Sequence, residues 1–232
     1  MNNFTKQLPL SFRSTTNKTF SNFQTGNNSI CLTSLATFLS SNESLFYLWG
    51  SNGAGKSHVL QAIINSVTED VKAVILQIDD LSLRENVSLI EIFDIICIDN
   101  VENIAGDKLL EEALFFWINE VKAGHKKIIF ASSISNNSEK WNLADLVSRI
   151  QSGRTHEILA LERNEALTVF TNQAKQKGML LDDKTIKYIE NNCPMNMKYL
   201  TNLLEKLDQI TLAEKKPLTI PLLKKILQTE LV

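Results

Sequence analysis

The stretch Gly50–Ser57 constrains the fold of this chain more than any other feature of its sequence. It reads GSNGAGKS and has the spacing G-x-x-x-x-G-K-[ST] of a phosphate-binding loop, whose glycines let backbone N–H groups close around phosphate oxygens. The apolar run Leu45–Trp49 precedes this loop, and Ser57–Val67 follows it with apolar residues at helical spacing. The sequence therefore predicts a strand, a loop and a helix, with the helix N-terminus facing the phosphates.

The loop supplies most of the residues that we expect to hold a nucleotide. The side chain of Lys56 has the length to reach the β- and γ-phosphates, and the hydroxyl of Ser57 is suited to bind Mg²⁺. Backbone groups would contribute at the other positions. The predicted nucleotide ligands in and next to the loop are Gly50, Ser51, Asn52, Gly53, Ala54, Gly55, Lys56, Ser57 and His58.

A second motif, Phe93–Asn100, reads FDIICIDN. Its apolar run Ile95–Ile98 is typical of a strand that is buried on both faces of a parallel sheet. Asp99 follows at the carboxyl end of this strand, which is where α/β sheets bind ligands. An isolated Asp at such a place would merely end a strand. Beside a phosphate loop, Asp99 is predicted to be the Walker B carboxylate that holds Mg²⁺.

The composition narrows the class of protein. The 232 residues are enough for one α/β domain and a small helical domain. A net charge of −2 argues against strong direct binding to DNA. Three widely spaced cysteines predict neither a disulfide framework nor a metal site. The sequence shows no targeting segment and no membrane-spanning run, so we expect a cytoplasmic protein without membrane contact.

Alternating strand and helix patterns indicate a parallel αβα sandwich. Apart from the elements around the loop and Asp99, these patterns predict strands over Val71–Ile78, Lys127–Ala131 and His156–Leu161, and helices over Asn27–Ser40 and Asp107–Lys122. In the last helix Asp107 is the expected N-cap, Gly124 the stop, and the aromatic residues are expected in the core. Its predicted apolar face comprises Leu109, Leu110, Ala113, Leu114, Trp117 and Val121.

From Glu162 onward the sequence shows only helical patterns. They cover Arg163–Lys177, Asp183–Asn191, Asn196–Thr211 and Ile220–Leu231, with glycine or proline between them. We therefore predict three parts, namely a flexible tail over residues 1–19, a nucleotide-binding domain over residues 20–161 and a helical domain over residues 162–232.

Several motifs resemble, in their order along the chain, the DnaA-like AAA+ family. The phosphate loop is followed by CIDNVENIAGD (Cys97–Asp107), by the strand-end serines Ser132–Ser133, by LADLVSRI (Leu143–Ile150) and by the helical segments. The resemblance runs from about Phe20 to the end of the chain. Its CIDN and IAGD motifs are most similar to those of the regulatory inactivators of the initiator DnaA. It implies an AAA+ P-loop αβα sandwich followed by a small all-α lid, with ADP or ATP as the nucleotide.

The resemblance gives roles to residues outside the loop. Arg149 occupies the place of the arginine finger, which in AAA+ proteins reaches a nucleotide held by a neighbouring subunit. From the spacing alone, a surface ion pair is the alternative. Lys198 aligns with the sensor-2 position, where the family has Arg, and Ser133 replaces an acidic sensor. Asn22 and Phe23 resemble the segment that lines the adenine pocket, although Phe23 is equally suited to the core.

Asn100 departs from the pattern of hydrolysing AAA+ proteins, which commonly have an acidic residue directly after the Walker B Asp. A neutral amide cannot act as a general base. Glu102 lies two residues further on and has the chemistry to substitute, but a charged residue just past a strand is more often solvated. We therefore expect little intrinsic ATPase activity.

The tail contains a further motif, QLPLSF, over Gln7–Phe12. It resembles the short peptides by which bacterial proteins dock on the replicative sliding clamp, the β subunit of DNA polymerase III. Leu8, Leu10 and Phe12 would fill apolar pockets while Gln7 forms hydrogen bonds at the rim. The alternative is an apolar tail that packs loosely on the domain.

The resemblance implies a protein that docks on the sliding clamp and promotes hydrolysis of DnaA-bound ATP, and so represses re-initiation of chromosome replication. The initiator itself is expected to carry further domains on both sides of the AAA+ module, and this sequence shows neither. The expected partners are DnaA and the clamp, with a homo-oligomer through the AAA+ interface as a further expectation, all in the bacterial cytoplasm at the nucleoid or replisome. Two alternatives are a self-contained ATPase that acts as loader or motor on DNA or a replication partner, and a nucleotide-dependent clamp adaptor.

Overall fold

The computed structural model describes residues 18–78, 86–214 and 218–228. The chain divides into two compact units. The first runs through Leu159 apart from Asn52–Ala54, and the second comprises Asn52–Ala54 together with the residues from Ala160 onward. None of the helices within the described ranges is long and apolar enough to cross a bilayer.

A parallel five-stranded sheet forms the centre of the first unit. All five residues of its third strand are buried, as expected for an apolar strand that is covered on both faces. The parallel αβα sandwich is therefore confirmed. In chain order, the strands are β1 (Leu45–Trp49), β2 (Ala73–Gln77), β3 (Ile95–Asp99), β4 (Lys127–Ser132) and β5 (Arg154–Glu157). Their order across the sheet is β2-β3-β4-β1-β5.

The helices of this unit alternate with the strands. Two of these helices were not predicted, and both are short, with five and nine residues. In chain order they are α1 (Ser29–Ser40), α2 (Lys56–Ser66), α3 (Ser88–Ile92), α4 (Lys108–Ala123) and α5 (Ala144–Ser152), of which α3 and α5 are the two missed.

Helix α4 begins and ends as its sequence predicts. The carboxylate of Asp107 accepts hydrogen bonds from the backbone N–H groups of Leu109 and Leu110, and Gly124 follows the last turn. The predicted apolar face is correct at Trp117 but wrong at Leu109, which is 57% exposed. The prediction that the aromatic residues of α4 lie in the core is wrong for Phe116, which is 45% exposed. At 3.6 residues per turn they lie about a quarter of a turn from Trp117, outside the buried stripe.

Strand β5 lies earlier in the chain than predicted. It covers Arg154–Glu157, not His156–Leu161, and pairs in parallel with Phe46–Trp49. The prediction followed the apolar residues, but β5 is an edge strand with only one neighbour and therefore does not need an apolar run. Arg154 is polar and is held by an ion pair with Glu43.

The second unit contains only helices among its described residues. Its core is apolar and includes the fully buried Phe170 on the first helix, Ile189 on the second and Leu203 on the third. The all-α lid that follows the sandwich is confirmed. Its helices are α6 (Arg163–Gln176), α7 (Asp183–Asn192), α8 (Met197–Glu214) and α9 (Ile220–Gln228).

Candidate nucleotide-binding site

The phosphate loop begins where β1 ends, at the carboxyl edge of the sheet. The N–H of Gly50 donates to the carbonyl of Ser132 on β4 at 3.1 Å, and the N–H of Ile158 donates to the carbonyl of Trp49 at 2.7 Å. A Cβ atom on Gly50 would lie 2.2 Å from the carbonyl oxygen of Ile158, so that only glycine fits here. The start of the loop is thus held between the last residue of β4 and the residue that follows β5.

Lys56 opens helix α2 and is almost completely buried. Its ammonium donates to the carbonyl of Gly50 at 2.7 Å and to that of Ser51 at 3.0 Å. Burial lowers the pKa of Lys56, whereas the nearby negative charges of Glu102 and Asp99 raise it. The ammonium therefore lies inside the curve of the loop, where the β- and γ-phosphates of a nucleotide would be expected.

Ser57 and Asp99 come together at the start of α2. The Ser57 hydroxyl donates to Oδ2 of the buried Asp99 at 2.6 Å, while Oδ1 of Asp99 accepts from the N–H of Asn100 at 3.0 Å. Both side chains offer the hard oxygen ligands that Mg²⁺ prefers. Among the residues that the structure describes, no group of three or more His, Cys, Asp or Glu side chains is arranged to hold a metal ion. These two residues fit a Mg²⁺ ion that takes its remaining ligands from phosphate and water.

Asn100 turns away from the direction of β3. Its φ of 59° is left-handed, a conformation that Asn tolerates better than most residues. Its side-chain amide donates to Oε1 of Gln77 at the end of β2, at 2.9 Å. The amide that stands in the position of the usual acidic residue is therefore bound to a neighbouring strand.

Glu102 is not solvated in the way its sequence position suggested. In the short 3₁₀-helix Val101–Ile104, Oε2 of Glu102 is buried and has no hydrogen-bond partner among the residues that the structure describes. Its charge also acts on Lys56. The partial burial of this carboxylate was missed because contacts of the folded chain cause it, and no local sequence pattern indicates burial there.

The segment before α1 lies along helix α2. The carbonyl of Thr19 accepts from Nε2 of His58 at 3.0 Å, and the carbonyl of Lys18 accepts from the amide of Asn65 at 2.7 Å. Burial lowers the pKa of His58, while its hydrogen bond to Thr19 raises it. These contacts make His58 a residue that attaches this segment to α2.

Phe23 lies over the phosphate loop. Its ring packs edge-on against His58, with centroids 5.1 Å apart. Gly55 has a φ of 108°, and a Cβ atom on it would lie 2.8 Å from the ring of Phe23. Asn22 is exposed instead, and its Oδ1 accepts from the N–H of Thr19 at 2.9 Å. Of the two residues assigned to the adenine pocket, Phe23 is therefore adjacent to the loop, and the side-chain oxygen of Asn22 closes a local turn.

Ser132 and Ser133 follow each other at the end of β4. Ser132 is fully buried, and its hydroxyl accepts from the N–H of Ile134 at 3.2 Å. Ser133 is half-buried. Lys198, in the second unit, is exposed in the first turn of α8. Within that same unit, a Cβ atom on Gly53 would lie 3.1 Å from the backbone nitrogen of Lys198.

Arg149 lies on α5. Its guanidinium carbon is 5.7 Å from the centroid of the Phe115 ring on α4, within the range of a cation–π contact. The guanidinium forms no hydrogen bond and no ion pair with any residue in the described ranges.

The four residues of the predicted clamp motif, Gln7, Leu8, Leu10 and Phe12, lie outside the described residues.

Residues 163–227 match the family described as "Hda, lid domain". An uncharacterized protein of Haemophilus influenzae is 30% identical over 230 residues, which are 96% of this chain and 98% of that protein. Among solved structures, domain III of the Thermotoga maritima replication initiation protein DnaA superposes with a TM-score of 0.80 at 21% identity, covering 95% of this chain and 98% of that one. The AMPPCP-bound DnaA from Aquifex aeolicus superposes with a TM-score of 0.68 at 21% identity, covering 82% of this chain and 64% of that one.

The sandwich, the phosphate loop and the helical lid define an AAA+ module. The helical lid matches the Hda lid domain over residues 163–227, and the fold is that of DnaA domain III. This chain belongs to the Hda-like, DnaA-related family.

Proposed function

We propose that this protein binds ADP or ATP with Mg²⁺ in its own site, docks on the sliding clamp of DNA polymerase III, and promotes hydrolysis of ATP that is bound to DnaA. Its own nucleotide would be ADP and would serve as a structural ligand. In this function, Arg149 places a fixed positive charge at the γ-phosphate of the ATP on DnaA, where negative charge develops in the transition state. The outcome is repression of further initiation of chromosome replication.

The position of Arg149 is the observation that carries this proposal. An arginine with a structural role would be expected to pair with a carboxylate or with backbone carbonyls, as Arg154 does with Glu43 and with the carbonyl of Ser34. The Arg149 guanidinium has no such partner among the described residues and rests only against the Phe115 ring. Its hydrogen-bond donors therefore remain available for a phosphate on another molecule.

The surroundings of Asp99 support a site that binds nucleotide and turns it over slowly. The residue after Asp99 is an amide, and that amide is already bound to Gln77. A water molecule beside the γ-phosphate would thus lack the usual base at this position. The two parts of the hydrolytic site would then come from two proteins: this protein supplies the arginine, and DnaA holds the ATP that is hydrolysed.

Clamp docking completes the proposal. The peptide Gln7–Phe12 would bind the clamp and so concentrate the protein where DnaA is to be inactivated. This function requires a protein that works in the bacterial cytoplasm at the replisome. It also allows homo-oligomers, because the surface that presents Arg149 to DnaA would fit a second copy with nucleotide.

A reconstituted reaction tests the proposal directly. ATP bound to DnaA is followed to ADP with this protein alone, with clamp-loaded DNA alone, and with both together. We expect fast hydrolysis only in the complete mixture. Equal rates with and without the protein would reject the proposed function. A rate that is stimulated equally without the clamp would reject the role of docking.

A self-contained ATPase is the second candidate, and Glu102 is the observation that favours it. Its carboxylate has a buried oxygen with no hydrogen-bond partner within the described ranges, and its negative charge raises the pKa of Lys56. A carboxylate beside the phosphate loop has the chemistry to activate water when a nucleotide is bound. This candidate predicts that the isolated protein hydrolyses ATP at an ordinary enzymatic rate and that Glu102→Gln abolishes that rate.

A further inference from the structure

A buried carboxylate connects helix α4 to the start of helix α5. Glu111 on α4 is 0% exposed, and its side chain accepts hydrogen bonds from three backbone N–H groups. Oε1 accepts from Gly106 at 2.8 Å, and Oε2 accepts from Asn142 at 3.0 Å and from Leu143 at 2.6 Å. A charge is buried at high cost unless it is hydrogen-bonded in this way, so these three contacts stabilise the buried carboxylate.

Two of the three donors belong to the N-terminus of α5. The first N–H groups of a helix have no partner inside the helix, and Leu143, the N-cap residue, contributes no side-chain bond. Glu111 accepts the N–H of Leu143, which is one of these groups, and that of the preceding Asn142, and so places a negative charge near the positive end of α5. The amide of Asn142 also donates to the carbonyl of Gly106 at 2.9 Å, so a second bond closes the same junction.

Helix α4 also contacts α5 near its other end. Phe115, one helical turn after Glu111, lies under the guanidinium of Arg149. The two contacts set the start of α5 and the side chain of Arg149 against the same helix. Helix α5 is short, so a displacement of its first turn is expected to displace Arg149 as well, which lies about 9 Å from Leu143 along the helix axis.

We propose that Glu111 is a positioning residue that fixes the direction in which α5 presents Arg149. This inference rests on the proposed function, in which Arg149 must reach a phosphate on another protein. A displacement of about 1 Å at a reacting group lowers a rate by roughly 10²-fold. The orientation of α5 therefore limits the rate of hydrolysis in trans, and Glu111 sets that orientation.

The test compares Glu111→Gln with Glu112→Gln. Both variants remove one negative charge from the same turn of α4, but Glu112 is exposed and serves as the matched control. In Glu111→Gln, an amide N–H₂ replaces one accepting oxygen and faces backbone donors. We expect the rate of DnaA-bound ATP hydrolysis at saturating protein to fall by about 10- to 100-fold. The protein concentration that gives half-maximal stimulation should stay within twofold, and Glu112→Gln should match the wild type.

A readout that is independent of DnaA separates this inference from the proposed function. Amide hydrogen exchange of the isolated protein should become faster in α5 of Glu111→Gln, with exchange in the β-strands unchanged. Unchanged α5 exchange would overturn the positioning role whatever the activity. If the wild type does not stimulate hydrolysis, or if Arg149→Ala is as active as the wild type, the proposed function fails, while the exchange result still decides the role of Glu111.

General loss of stability needs its own control. Val121→Ala removes a fully buried side chain from the same helix and should lower the melting temperature without a loss in stimulated rate. Equal rate losses in Val121→Ala and Glu111→Gln would overturn the inference. If Glu111→Gln does not fold, Asn142→Ala replaces it, since the hydrogen bond to Gly106 is the one that this exposed side chain forms with the part of the chain that the structure describes. We expect a two- to tenfold lower rate and faster α5 exchange, and no change in either would contradict the inference.

Discussion

The hydroxyl of Ser57 and the carboxylate of Asp99 are joined by a 2.6 Å hydrogen bond, although 42 residues separate them in the chain. Ser57 lies in the first turn of α2, and Asp99 ends the buried strand β3. Adjacent ligands of an octahedral Mg²⁺ ion, each about 2.1 Å from the metal, lie about 3 Å apart. The two oxygens therefore need little movement to become ligands of the same ion.

This pair predicts how nucleotide binding depends on Mg²⁺. For the wild type, chelation of Mg²⁺ should weaken ATP binding by about tenfold or more, which corresponds to about 1.4 kcal/mol. Asp99→Asn should lose most of that dependence, because the amide cannot supply a charged ligand. Calorimetric titration with and without a chelator measures the difference, and Asp145→Asn, at an exposed position on α5, is the control. A full Mg²⁺ effect in Asp99→Asn would remove this residue from the metal site.

Lys56→Ala should abolish stabilisation by ADP. A ligand at 100 times its Kd stabilises a folded protein by about 2.7 kcal/mol, which raises the melting temperature of a chain of this size by roughly 5–10 °C. Without the ammonium that lies inside the loop, we expect no shift. Thermal unfolding with increasing ADP checks this, with Lys72→Ala, an exposed lysine, as the control. An undiminished shift in Lys56→Ala would show that the nucleotide binds elsewhere.

The isolated protein should hydrolyse ATP at well below about 1 s⁻¹, the lower end of usual enzyme rates. The reason is that Asn100, an amide bound to Gln77, follows Asp99 where a base would be needed. Steady-state phosphate release measures the rate. A rate above about 1 s⁻¹ that disappears in Glu102→Gln would favour the self-contained ATPase. If Glu102→Gln keeps that rate, Glu102 is not the residue that activates water.

Replacement of Gln7, Leu8 and Leu10 by Ala should eliminate binding to the sliding clamp, since the apolar anchors of a short peptide carry most of its affinity. The melting temperature and ADP binding should remain those of the wild type. Surface-immobilised clamp provides the measurement. The matched control replaces Ser14, Thr15 and Thr16 by Ala, three polar residues of the same segment. Affinity within twofold of the wild type in the first variant would place docking on another surface.

Arg149→Ala should lower the stimulated hydrolysis of DnaA-bound ATP by roughly 10³- to 10⁵-fold, the range of arginine fingers in other nucleotide hydrolases. Nucleotide binding, clamp binding and the melting temperature should be unchanged, because the guanidinium has no polar partner among the described residues. Arg149→Lys should restore little, since an ammonium lacks the planar fork. Lys122→Ala, an exposed residue on α4, is the control. An unfolded Arg149→Ala beside a normal Arg149→Lys would instead indicate a structural ion pair.

The parts of the fold that the sequence predicts are those with local signals. The phosphate loop, the run before Asp99 and the capping of α4 by Asp107 each depend on a few neighbouring residues. The predicted bounds of β5 were wrong because an edge strand carries polar residues. The predicted burial of Leu109 was wrong because an apolar residue at the margin of a helix's apolar face is not necessarily covered by other residues.

The remaining features depend on contacts between distant parts of the chain. Glu111 is buried because backbone donors 31 and 32 residues away complete its hydrogen bonds, and no spacing near Glu111 reports them. A weak signal was present, since Glu111 lies on the same side of α4 as the buried Leu114 and Ile118. A charged residue within an apolar stripe is therefore worth examining for a distant backbone partner.

The hydrogen bonds from α2 to the carbonyls of Lys18 and Thr19 have a geometric consequence for clamp docking. They fix the point at which the N-terminal segment joins the domain, on the helix that begins at the phosphate loop. Lys18 comes six positions after Phe12, and six residue-to-residue steps span at most about 22 Å even when fully extended. In the proposed complex the segment is therefore a short linker between the clamp and the domain. Its length sets the effective concentration at which the domain meets any DnaA held beside the same clamp, and so converts that encounter into an almost intramolecular one.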